Sequence, residues 1–144
     1  MSIFVIVTSE ICPACKQIKR KTQEGTSLLD KIKSWVKPYV SQIVEVTMKH
    51  NGDIGALDKT HKGLRKVVRN LPGFFIFPLS AWNQGGDLPN NMYLGRDEAG
   101  FKEWARKSVP APNQAKQDYF TKPAVPQEMA SAGSYTIRRI SITE

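Results

Sequence analysis

The chain is poor in cysteine and histidine and has no long apolar run. Its 144 residues hold two cysteines, Cys12 and Cys15, so no third thiol competes for either one. No apolar stretch approaches the roughly 18 residues of a membrane span, so no membrane role is expected. Met1-Ser2 leads straight into a strand-like run, with neither a basic leader region nor a small-residue cleavage site. The expected compartment is therefore cytoplasmic, where a lone Cys-x-x-Cys reads as catalytic or metal-binding rather than as a staple. There is no run of five or six like charges, no RNP-type aromatic motif, no zinc-finger spacing of Cys and His, and no internal repeat. Nucleic acid is accordingly not the expected partner.

What is present is a basic excess. The formal net charge is +8, with seventeen Lys and Arg against ten Asp and Glu up to Ser108, and four against three after it. The excess belongs to the part that folds. It suits either a solvated surface or attraction of an acidic protein partner.

The apolar run Ile3-Phe4-Val5-Ile6-Val7 precedes Cys12-Pro13-Ala14-Cys15, and the basic segment Lys16 to Lys21 follows. This reads as a strand buried on both faces, a tight turn and a helix start, with Pro13 tolerated in the first helical turn. Ser27-x-x-Asp30 predicts a capping box. It opens a helix whose stripe is Leu28, Leu29, Ile32, Trp35 and Val36, closed by Pro38. Residues 42–48 alternate as a second strand. Leu57, His61, Leu64 and Val68 share one helical face, and Phe74-Phe75-Ile76-Phe77 reads as a buried strand. Residues 78–91 are a turn-rich connection, 92–94 a short strand antiparallel to 74–77, and 97–107 a last helix.

The resulting order is β-α-(α)-β-α-β-β-α, an α/β domain over 1–108 with a mixed sheet of about four strands flanked by helices. Residues 109–144 form a Pro-rich extended tail. Its strand-like end, 135–143, is expected to pair with this domain's sheet edge or with another molecule.

Two thiols at a strand–helix junction point to dithiol–disulfide chemistry. Cys12, at the helix start where unpaired N–H groups favour an anion, is expected to attack, and Cys15, one turn inside, to resolve. The alternatives are an inert pair or a zinc site completed by His50 and His61. Their spacing is not that of a finger, and His61 on an apolar stripe reads as a core histidine. No metal is expected.

Three motifs together resemble the thioredoxin/glutaredoxin superfamily: Cys12-Pro13-Ala14-Cys15, the segment Asn70 to Phe77 around Pro72, and the segment Tyr93 to Phe101 with Gly95. The absence of a βα unit before the first strand is closer to glutaredoxin. The resemblance covers about residues 2–108. It implies a thioredoxin-like fold, a cis-proline at Pro72 and thiol–disulfide oxidoreductase activity on protein disulfides. It implies a substrate groove of Ile11, Pro13, Leu71, Pro72, Gly95 and Arg96. It implies no bound cofactor, with glutathione or a thioredoxin reductase-type system as electron donor; an iron–sulfur cluster shared between two chains is a rarer property of glutaredoxin-like proteins. Proteins of this sort occur in cells and in large DNA viruses, which adds the virion or viral factory to the compartments implied. The alternative is a non-enzymatic thioredoxin-like interaction module that binds a partner through its basic face and tail.

Overall fold

The computed structural model describes residues 2–84, 88–109, 129–131 and 135–141. β1 (Ser2–Ser9) is buried along its whole length. An unbroken apolar strand belongs inside a covered sheet, and that is where β1 lies. β2 (Gln42–Met48) pairs with it in parallel, from Ile3 opposite Gln42 to Ser9 opposite Met48. β3 (Gly73–Pro78) pairs antiparallel on the other side.

Helices cover both faces. α1 (Pro13–Lys19) and α2 (Leu28–Val36) connect β1 to β2. The predicted capping box is present: Asp30 N–H donates to Ser27 Oγ at 3.1 Å and Ser27 N–H to Asp30 Oδ2 at 3.2 Å. Between β2 and β3 come α3 (Ile54–Thr60) and α4 (Leu64–Val67). The single helix read over 57–68 is thus two short ones, because Gly63 turns the backbone to φ +92° and restarts the chain. α5 (Leu79–Gln84) follows β3, and α6 (Glu98–Ser108) is capped by Asp97, which accepts from Gly100 N–H at 2.9 Å.

The period-two alternation of β1 sorts the core into two layers. Ile3, Val5 and Val7 pack with Leu57, Leu64 and Trp82 from α3, α4 and α5. Phe4 and Ile6 pack with Ile18, Ile32 and Phe101 from α1, α2 and α6. Among the described residues no helix is long and apolar enough to cross a membrane.

Three expectations change. The connection over 78–91 contains α5, which is under two turns long and so shows no periodicity; Trp82 anchors it, 1% exposed and stacked on Phe77. The strand expected at 92–94 is one bridge, Phe74 to Tyr93. The Asn91 side chain takes the next place on the β3 edge, accepting from Ile76 N–H at 3.4 Å and donating to Ile76 C=O at 2.6 Å. A side-chain amide thereby replaces a ladder. The sheet has five strands, in the order β3-β1-β2-β5-β4. Its extra members are β4 (Met129–Ser131) and β5 (Tyr135–Ser141). β5 lies antiparallel on β2 from Gln42 opposite Ser141 to Met48 opposite Tyr135, so the chain's last strand joins its own sheet. The remainder of the 109–134 tail lies outside the described residues, as do Gly85-Gly86.

His61 packs in this frame. Its ring stacks on Trp82 with centroids 3.9 Å apart, and Nδ1 lies 3.0 Å from Thr60 Oγ1. Burial, then the nearby Arg139 charge, pushes its pKa down to about 4. The unfolded chain binds this proton below about pH 6.5, the folded chain only near 4. The unfolded state therefore holds the extra proton between those values, and stability falls as pH drops from 6.5 to 4. The expected loss from this residue is on the order of 3 kcal/mol. Urea midpoints measured between pH 7 and 4 should fall less steeply for His61→Phe than for the native chain; parallel curves would refute the assignment.

Candidate active site

The site lies beyond the C-terminal ends of β1 and β2, where side chains from crossing elements converge. The loop leaving β1 is held to β2 by Glu10 N–H on Met48 C=O at 2.7 Å. Cys12 N–H donates to Ser9 C=O at 3.2 Å, which sets Cys12 as the N-cap of α1 with extended backbone, and Pro13 occupies the first helical position. A helix N-cap side chain accepts from N–H groups of the first turn. Here that acceptor is sulfur: Cys15 N–H donates to Cys12 Sγ at 3.1 Å.

Both cysteines are free thiols. Cys12 is 8% exposed and Cys15 is 0% exposed, the order their one-turn offset predicts. The Cys12 thiol also donates to the Leu71 carbonyl at 3.7 Å, and the Leu71–Pro72 peptide bond is cis. Residues 59 positions apart thus meet at one sulfur.

Cys15 has its pKa pushed up to about 12, first by burial and then by its hydrogen bond to Cys12. A backbone hydrogen bond from Ser9 and the charge of Lys19 act in the opposite direction. Lys19 is one turn past Cys15 on α1, and its Nζ donates to Thr8 Oγ1 at 2.9 Å, which tethers the charge on the Cys15 side of the helix. In sequence Lys19 is only part of the basic segment Lys16 to Lys21; its four-residue spacing from Cys15 was the available signal.

A groove of about 430 Å³ opens at Cys12. Ile11, Cys12, Pro13 and Leu71 line it, and Ile11 stands 53% exposed. Met48, Ile54, Val68, Arg69 and Asn70 complete the wall. Met48 was findable from the rule that ligands bind beyond the carboxyl ends of parallel strands. Arg69 and Asn70 directly precede Leu71. Pro72, Gly95 and Arg96 are not among the lining residues. Arg96 lies 5.4 Å over the Phe74 ring and donates to the carbonyls of Leu94 (2.9 Å) and Gly95 (2.8 Å), which holds it against the opposite core layer.

Among the described residues no three His, Cys, Asp or Glu side chains come together as a metal-binding group. The two cysteines are therefore not joined by His50 and His61. No protein-family model, curated protein or solved structure matches the chain.

Proposed function

We propose that the chain is a small thiol–disulfide oxidoreductase with a thioredoxin-like fold, acting on protein disulfides through Cys12 and Cys15. The observation that carries this reading is the seat of Cys12 Sγ between the Cys15 N–H and the Leu71 carbonyl, at the mouth of a groove. The α/β order, with the dithiol between β1 and α1 and Leu71-Pro72 just before β3, is compatible with that fold.

The chemistry follows in two displacements. The Cys12 thiolate attacks one sulfur of the substrate; a Cys12–substrate disulfide forms, the substrate S–S bond breaks, and one thiolate leaves. Cys15 then loses its proton and attacks the Cys12 sulfur. The Cys12–Cys15 disulfide forms, the second substrate thiolate leaves, and two electrons have passed to the substrate. The pair is restored by a dithiol or thiol donor such as glutathione or a thioredoxin reductase-type system.

The causes acting on Cys15 time the second step. Two of the effects that keep it protonated, the hydrogen bond and the charge, come from Cys12 itself. Both end when Cys12 is tied up in a mixed disulfide. Burial remains, opposed by Lys19 and the Ser9 backbone. Cys15 thus ionises more readily after the first displacement than before it.

Cys15→Ser should stop the reaction halfway. Incubated with a peptide disulfide, the variant is expected to gain the mass of one peptide thiol, released by dithiothreitol. Full turnover without an adduct would remove Cys15 from the mechanism.

A further inference from the structure

Outside the thiol groove the most distinctive surface is cationic. Lys59, Lys62, Arg65, Lys66 and Arg69 fall within eleven consecutive residues that contain no acid. All five are exposed. The nearest acid in sequence, Asp58, is committed to the backbone: its Oδ1 accepts from Gly63 N–H and Arg65 N–H, each at 3.1 Å. Among the described residues, ion pairs form at Lys31, Lys33, Lys102, Arg106 and Lys107, and none forms at these five. Four of them line an open groove of about 1090 Å³ along α3 and α4.

The chain runs from this groove directly into the wall of the thiol groove. α4 ends at Val67, and the next residues, Val68 to Leu71, form a wall of the groove at Cys12. Lys66 and Leu71 are five residues apart, so their Cα atoms lie within roughly 18 Å. About five residues of extended chain cover that distance.

We infer that the α3–α4 ridge docks an acidic segment flanking the substrate disulfide, so that the preferred substrates are proteins with carboxylates a few residues from the reacting cysteine. The inference rests on the reading under Proposed function and supplies its substrate class. A row of unpaired cations beside a reacting atom raises the local concentration of anionic partners and speeds encounter by about 10-fold to 1000-fold, with strong salt dependence. A single-stranded nucleic acid would call for exposed rings on which bases stack, and the ring in this stretch, His61, is stacked on Trp82. The chain's own residues 110–128 hold two cations and two acids, so they offer no complementary charge.

The test uses the full chain in its reduced form. Two peptide disulfides are compared, identical except that one flank carries Asp and Glu or carries Lys, together with uncharged bis(2-hydroxyethyl) disulfide. The acidic peptide is expected to react about tenfold faster than the basic one at low salt, with the advantage vanishing near 0.5 M, where the Debye length is only a few ångströms. The Lys62→Glu/Arg65→Glu/Lys66→Glu variant should cancel or invert the preference while leaving the uncharged disulfide's rate unchanged. If that variant does not fold, Lys62→Gln/Lys66→Gln should reduce the preference partway. Equal rates for the two peptides, or a preference that survives the substitutions, overturns the docking surface; reduction of the uncharged disulfide still upholds the oxidoreductase. Failure to reduce any of the three overturns the oxidoreductase reading itself. A short DNA duplex that displaces a cysteine-free acidic peptide at lower concentration than the same peptide does would assign the ridge to nucleic acid and overturn the protein partner.

Discussion

Cys12→Ser is expected to abolish disulfide reduction, with a loss of at least about a thousandfold in an insulin-reduction assay. A serine hydroxyl is not ionised at neutral pH and cannot form the mixed disulfide, so the first displacement has no nucleophile. The substitution also isolates chemistry from folding. Serine is among the best helix N-caps, and its Oγ can accept from Cys15 N–H as the sulfur does at 3.1 Å. The variant should therefore match the native urea midpoint within about 0.5 kcal/mol. Turnover that survives in a folded Cys12→Ser chain would eliminate the mechanism. A loss shared equally by activity and stability would mean the residue is structural.

Removing residues 135–144 should leave a chain that does not fold at ordinary temperature. β5 supplies the antiparallel partner along the whole of β2. It buries Tyr135 and Ile137 in the same layer as Met48, Leu57 and Phe75. Burying two such side chains is worth about 1.5–3 kcal/mol each, against a total stability of about 5–15 kcal/mol. The ladder hydrogen bonds add to this, and their loss leaves β2 a bare apolar edge that invites aggregation. Ile137→Ala gives a graded version, expected to cost about 2–5 kcal/mol in urea unfolding. A shortened chain with a native midpoint would show that β5 is dispensable. For the same reason, a cut after residue 108, where composition changes, removes β4 and β5 from the sheet.

Much of the site's framework was legible because local chemistry wrote it. A short apolar run rich in β-branched residues fits a covered strand, proline fits the first turn that follows it, and two thiols one turn apart share a helix face. Ser27 and Asp30 announce their cap by spacing alone. The same local reading failed where two partners compete for one place. Tyr93 begins a strand against β3, but the Asn91 amide takes the next pairing position, and nothing in the alternation of residues 92–94 records that. Arg96 lies within the third motif yet turns to Phe74 and its neighbours' carbonyls.

By itself the sequence determined which residues form β1, where α1 begins and that both thiols sit at that junction. These depend on side-chain period, caps and proline, which act within a few residues. Only the tertiary structure decided the rest of the wall that faces Cys12, because Ile54, Val68 and Arg69 arrive there through the crossover packed on the sheet, not through proximity to Cys12 in the chain. It also decided that the last strand completes its own sheet. An exposed edge and a distant apolar strand leave open in sequence whose edge is used, and that choice is made when the core closes around Tyr135 and Ile137.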